Sequence, residues 1–252
     1  MRGVKMKRLK IILFSLAIVV TGLLFLFAWE CVGGQYNQAV LNELSGQIIY
    51  TRRDKDSVLK IYTAQANLEN EQLLYEHQDS IDNGNIVGIA YDQANNRLIF
   101  EAYDDTLEGW GLFELNEKGT ATSLGISILD LGGDWRVHSL MDEERLYGEE
   151  GHLYLKDATT NEPLLIKQFD GTYNAKFSPG YVPRALSPDE TFVFFSYSKH
   201  RTPFGAFLEG LLHSDYQFQT YVRNVKTGEE SLYVNFAEII FLSETDSFLA
   251  HN

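Results

Sequence analysis

The sequence predicts an all-β fold assembled from repeated small antiparallel sheets, and three observations predict it. One is composition: the 252 residues include 14 Tyr and 16 Phe and are 44% hydrophobic, enough for a sizeable core and rich in the flat side chains that pack on pleated sheets. Another is a local pattern in which an apolar stretch ends, a polar turn follows, and a second apolar stretch begins. It occurs as AYDQANNRLIF (90–100), LMDEERLYG (140–148), LSPDETFVFF (186–195) and LSETDSFLA (242–250), with LNELSGQIIY (41–50) as a looser copy. The third is period: measured on Ile48, Leu98, Leu146, Phe192 and Phe248, the copies lie 50, 48, 46 and 56 residues apart, the spacing of a repeat architecture.

Each copy continues alike. The strand after the turn is followed by another (VLKIYTA, WGLFEL, HLYLKDATT, QTYVRNVKTGE), then by a short fourth one (EQLLYEH, TATSLG, EPLLIKQ, ESLYVNF). Period-two alternation and turn residues such as 226–229, Lys-Thr-Gly-Glu, favour hairpins over helices. Four antiparallel strands per repeat make the blade of a β-propeller. The count predicts about five four-stranded blades over residues 41–252: either the C-terminal strands complete the first repeat and close the ring, which is favoured because an open blade exposes sheet edges, or the propeller is incomplete. In the best-preserved turn, Pro188 presets φ while Ser187 and Asp189 can bond nearby amides, which fixes the register of the strand that follows. Ser187 reads as structural, since no Gly-x-Ser-x-Gly elbow surrounds it.

With SPDE (187–190) and NVKTGEE (224–230) on the page, residues 40–252 resemble the TolB-type and WD-repeat-like propellers. Blades of that family often carry Ser-Pro-Asp-Gly before the second strand and an Asp-x-x-Thr-Gly-like turn after the third. Only these two turns match well; the other copies have drifted from the pattern, and no Trp-Asp dipeptide occurs. The resemblance implies architecture and no particular ligand.

The first 40 residues are of another kind. Arg2, Lys5, Lys7, Arg8 and Lys10 form a basic tail (1–10) before the uncharged run 11–29, 13 of whose 19 residues are Ile, Leu, Phe or Val. As a helix this run spans roughly 28 Å, the thickness of a bilayer's hydrocarbon core, and its apolar side chains favour insertion by about 4–8 kcal/mol. A retained transmembrane signal-anchor is expected, with a cleaved signal peptide as the alternative; the bulky Trp29 and the charged Glu30 ahead of Cys31 do not suit a lipobox. The cations hold the N-terminus in the cytoplasm, leaving 30–40 as a tether and 41–252 as an extracytoplasmic domain of a single-pass membrane protein. That outer part carries all 35 acidic residues against 16 of the 21 basic ones, a net of −19, which excludes nucleic acid as a natural partner. A single cysteine allows no internal disulfide. No Asn-x-Ser/Thr sequon occurs, which disfavours a glycosylated eukaryotic surface protein and suits a bacterial one.

Motifs of known chemistry are sparse. Asp104, Asp105 and Glu108 have calcium-binding residue types but sit in an acidic hairpin turn, which is normally solvated, and Gly109-Trp110-Gly111 continues to Glu114 where a dinucleotide fingerprint needs glycine. The six histidines, His77, His138, His152, His200, His213 and His251, are scattered, so neither a metal nor another cofactor is expected. The long segment 199–217 lengthens the connection between the second and third strands of the fourth repeat, and long loops on rigid scaffolds often carry function. Its Phe204, Phe207 and Leu211, with His200, Arg201 and His213 beside them, form a candidate binding lip for a protein or a cell-wall or surface polymer. The leading reading is therefore a membrane-tethered binding or assembly module and not an enzyme. The alternative is an extracytoplasmic hydrolase or lyase using Asp82, Asp134, His138 and Arg184 as channel-facing groups, which requires at least two of them in one pocket.

Overall fold

The computed structural model describes residues 35–53, 58–77, 86–92, 97–116, 118–127, 145–171, 173, 180–198, 218–236 and 238–242, with Ser15, Ile18 and 20–22. The chain divides into two compact units, Met1–Gln35 and Tyr36–Asn252. In the first, the described residues are exposed, and Ser15, Ile18 and 20–22 are α-helical. Among the described residues no helix is long and apolar enough to cross a membrane, and most of the run 11–29 lies outside them.

Among its described residues the second unit is all-β apart from one short helix, and the described strands form four antiparallel sheets. The first sheet contains β1 (Gln47–Arg53), β2 (Leu59–Gln65) and β3 (Gln72–Glu76), completed on the other side of β1 by β15 (Ile239–Leu242). The second runs β4 (Ile86–Asp92), β5 (Arg97–Asp104), β6 (Gly109–Leu115) and β7 (Ala121–Ser127). The third has three described strands, β8 (Leu146–Glu149), β9 (His152–Lys156) and β10 (Pro163–Lys167). The fourth runs β11 (Gly180–Leu186), β12 (Phe192–Ser198), β13 (Phe218–Asn224) and β14 (Glu230–Leu232). The landmarks Ile48, Leu98, Leu146 and Phe192 fall on β1, β5, β8 and β12, the equivalent strand of each sheet.

The expected count of about five is corrected to four sheets among the described residues. Of the two alternatives for the C-terminal strands, β15 takes the one that completes the first repeat: it pairs antiparallel with β1, Gln47 opposite Leu242 and Tyr50 opposite Ile239. The pairing covers an edge of β1 that would otherwise present unpaired N–H and C=O groups. Phe248, the fifth landmark, lies outside the described residues.

One turn is repeated in all four sheets. After the penultimate strand an Asn or Asp side chain accepts backbone N–H bonds from residues just ahead: Asn67 from Glu69 (3.0 Å), Asn116 from Lys118 (2.9 Å), Asp157 from Thr159 (2.8 Å) and Asn224 from Lys226 (2.9 Å). Three or four residues further on, each turn has a residue at positive φ: Asn70, Gly119, Asn161 and Gly228. The side chain thus mimics a backbone turn and launches the last strand. Asn224 is buried and also donates from Nδ2 to Glu43 Oε2 at 3.0 Å. Asn224→Ala is expected to cost about 2 kcal/mol and to lower Tm by roughly 4–8 °C, as read by thermal unfolding.

The core lies in the seams between sheets. Alternate residues of β1 serve different seams: Ile48 and Tyr50 pack with Phe192, Phe194 and Phe241 toward the fourth sheet, while Ile49 joins Ile89, Leu98 and Phe100 of the second. On β12, Phe194 faces the first sheet, whereas Val193 and Phe195 pack on Leu153 and Leu155 of the third. Strands buried on both faces read as apolar runs, and each fully buried Ile or Phe contributes about 1.5–3 kcal/mol. The helix α1 (Gln38–Glu43) is capped by the Asn37 side chain and buries Val40 and Leu41 against the seam of the first and fourth sheets. Residues 37–40, expected as the end of a tether, are therefore part of the folded unit; Asn37 N–H also donates to Ser231 Oγ at 2.8 Å.

Candidate functional site

At one end of the first sheet lies a groove of about 640 Å³. Its polar lining is Ser45, Gln47, Thr63, Gln65, Asn70 and Gln72, with Leu44 and Ala64 among its apolar wall. Local structure explains the grouping. Gln47 pairs with Gln65 across β1 and β2, and Thr63 pairs with Gln72 across β2 and β3, so strand alternation puts the four on one face. The tight β2–β3 turn brings Asn70 alongside, held at φ +56°, a conformation that asparagine tolerates better than most residues. Gln47 Nε2 donates to Thr63 Oγ1 at 3.4 Å, and Thr63 Oγ1 donates to the Ile48 carbonyl at 3.1 Å. Among the described residues the carboxamides of Gln65, Asn70 and Gln72 make no protein hydrogen bond. The lining named here carries no charge, yet each carboxamide both donates and accepts.

Of the charges beside the lining in sequence, Glu71 is occupied. Glu71 receives the Tyr50 hydroxyl and is gripped by Arg52, whose Nη1 donates at 2.7 Å and Nη2 at 3.2 Å. The guanidinium lies 4.2 Å from the centre of the Tyr62 ring, which stacks on Tyr50. Burial, reinforced by Glu71, pushes the Tyr50 hydroxyl well above its ordinary pKa.

Of the four conceivable catalytic groups only Arg184 is described. It is partly buried on β11, its Nε donates to Ser196 Oγ at 2.9 Å, and burial lowers its pKa. Asp82, Asp134 and His138 lie outside the described residues, as do His200, Arg201, Phe204, Phe207, Leu211 and His213. The segment 199–217 does fall between β12 and β13, second and third in their sheet.

Other candidate groups are tied into the framework. Ser187 Oγ donates to Asp189 at 2.6 Å and accepts Phe192 N–H at 2.9 Å, while Asp189 accepts Thr191 N–H at 3.1 Å. These bonds close the turn whose register the sequence predicted. Glu190 takes the glycine position of that turn at φ +56° and forms an ion pair with Arg145 that links the fourth sheet to the third. Asp104 accepts Thr106 N–H at 2.8 Å and the Ser123 hydroxyl. Although burial opposes it, these bonds hold its carboxyl below the usual range, so this residue of the acidic turn is spent on the hairpin. Buried His77 donates from Nε2 to the Tyr103 carbonyl at 2.8 Å, which leaves Nδ1 to accept the Tyr75 hydroxyl at 3.0 Å. His152 Nδ1 accepts Phe169 N–H at 2.9 Å.

A carboxylate the sequence did not single out lies between the first and second sheets. Glu238, just ahead of β15, accepts Thr51 N–H on its carbonyl and donates its own N–H to Thr51 Oγ1, and its Oε2 accepts Ile89 N–H of β4 at 2.8 Å. Burial, with Glu101 adding repulsion, pushes its pKa up to about 7.

No protein-family model matches the chain, and no curated protein matches it. Among solved structures, one described as "The structure of putative TolB from Agrobacterium tumefaciens" is similar at 9% identity, over 79% of this chain and 71% of that one, with a TM-score of 0.25.

Proposed function

We propose that the protein is a membrane-tethered, extracytoplasmic β-propeller of four blades that acts as a binding or assembly module for a protein or surface polymer. The run 11–29 and its preceding cations support the tether and its orientation. The four-fold turn and the return of β15 to the first sheet support the ring. Binding rather than catalysis is carried by one observation: the hydroxyl, carboxylate and imidazole groups of Ser187, Asp104, His77 and His152 are spent on turns and on holding the backbone. A hydrolase or lyase is the second reading, favoured by Arg184, which is partly buried without a carboxylate partner among the described residues.

The lip 199–217 is the proposed contact surface. Affinity capture from solubilised envelopes, with the full chain and with a variant lacking 200–214, tests it. Loss of at least one partner on deletion is expected, provided the two proteins melt alike. Identical partner sets would remove the lip from the proposal.

A further inference from the structure

The geometry points to a second, independent ligand site: the groove at the end of the first sheet is a subsite for a neutral saccharide. Three features converge on that ligand. Carboxamides and hydroxyls line the groove, and a sugar hydroxyl, itself donor and acceptor, can satisfy both halves of a carboxamide. Gln65, Asn70 and Gln72 have those halves unspent among the described residues, and the pairs Gln47–Gln65 and Thr63–Gln72 sit on paired strands, so donors and acceptors are arrayed on a rigid sheet. The volume, about 640 Å³, lies within the range of small-molecule sites.

Charge narrows the choice. An anionic sugar would meet no cation in the named lining, since Arg52 is engaged by Glu71, and would approach a domain of net charge −19. A cationic ligand would find no carboxylate there. An extended peptide needs pockets for its side chains, whereas the apolar residues here, Leu44 and Ala64, are themselves buried in the core. This site uses no residue of the lip, so it stands or falls separately from the binding surface proposed there.

The test uses the full chain in a non-glycosidic detergent and saturation-transfer NMR with three neutral disaccharides, chitobiose, cellobiose and maltose, plus an anionic heparin disaccharide. Transfer to at least one neutral disaccharide is expected, with none to the anionic one. The double variant Gln65→Ala/Gln72→Ala should weaken binding at least tenfold. Asn70→Gly should weaken it severalfold without loss of folding, because glycine adopts positive φ freely. The variant lacking 200–214 should bind as the full chain does. No transfer to any neutral disaccharide, equal transfer in the groove variants, preference for the anionic sugar, or loss only on deletion of the lip would each overturn the assignment.

Discussion

Gly180→Ala should lower stability by about 3–5 kcal/mol and Tm by roughly 10 °C, because two separate costs fall on one position. Gly180 opens β11 at φ +130°, a region that residues with a Cβ rarely enter, and strained backbone costs about 1–3 kcal/mol. Its place against the third sheet adds a second cost: a Cβ there would lie 2.3 Å from Gly151 Cα and 2.6 Å from Gly151 O. The atoms it meets are backbone, in the tight β8–β9 turn where Gly151 itself has φ +85°, so they have little room to yield. The next residue depends on the same approach, since Tyr181 N–H donates to Gly151 O at 3.0 Å. Around it the seam is fastened by Lys167 with Glu230 and by Arg145 with Glu190. Relief by displacement of β11 would disturb both pairs and the packing of Val193 and Phe195 on Leu153 and Leu155. Gly109→Ala is the control: φ there is not positive, and the nearest atom to an added Cβ is 3.7 Å away. If the two variants melt within about 1 °C of each other, the third and fourth sheets do not meet at Gly180 as described.

The strands around this seam were legible in the sequence, and the seam was not. Each third and fourth strand announced itself through alternating apolar residues and a polar turn between them, signals spanning fewer than ten residues. The contact of Gly180 with Gly151 has no such signature, because two glycines 29 positions apart become neighbours only once both sheets exist. That the C-terminal strands could complete the first repeat was legible from the repeat count, but the register that sets Gln47 opposite Leu242 was hidden for the same reason, and with it the number of sheets. The helix α1 left only a short trace, the N-cap Asn37 ahead of Val40 and Leu41, and six residues are too few for a helical period to show. The groove was missed because glutamine, asparagine and serine at strand ends look like ordinary turn composition. Their convergence depends on the registers of β1, β2 and β3, and register is a property of pairs of strands. Glu190 was equally silent: it stands where the resembling family has glycine, and only the structure shows that the ion pair with Arg145 gives its carboxylate a use at a strained position.

The first and second sheets should separate in their pH response through Glu238. Its folded pKa of about 7 exceeds the ordinary 4.5, so between those values the folded chain holds a proton that the unfolded chain has released. Stability from this group is complete below pH 4.5 and is lost as pH rises through 7. The gap corresponds to at most about 3 kcal/mol, and solvent reaching the partly exposed carboxylate brings an expected loss of about 2. Glu101 is the like charge that works against ionisation, and the single bond from Ile89 N–H is the compensation that survives it. Glu238→Gln keeps an acceptor for Ile89 and cannot ionise. At pH 8 the variant should therefore melt roughly 4–8 °C above the wild type, and at pH 5 the gap should close. Other titrating groups act on both proteins alike, so the difference between the two curves isolates this carboxylate. Parallel Tm curves from pH 5 to 8 would show that Glu238 ionises without penalty and that the seam beside Ile89 is open to water.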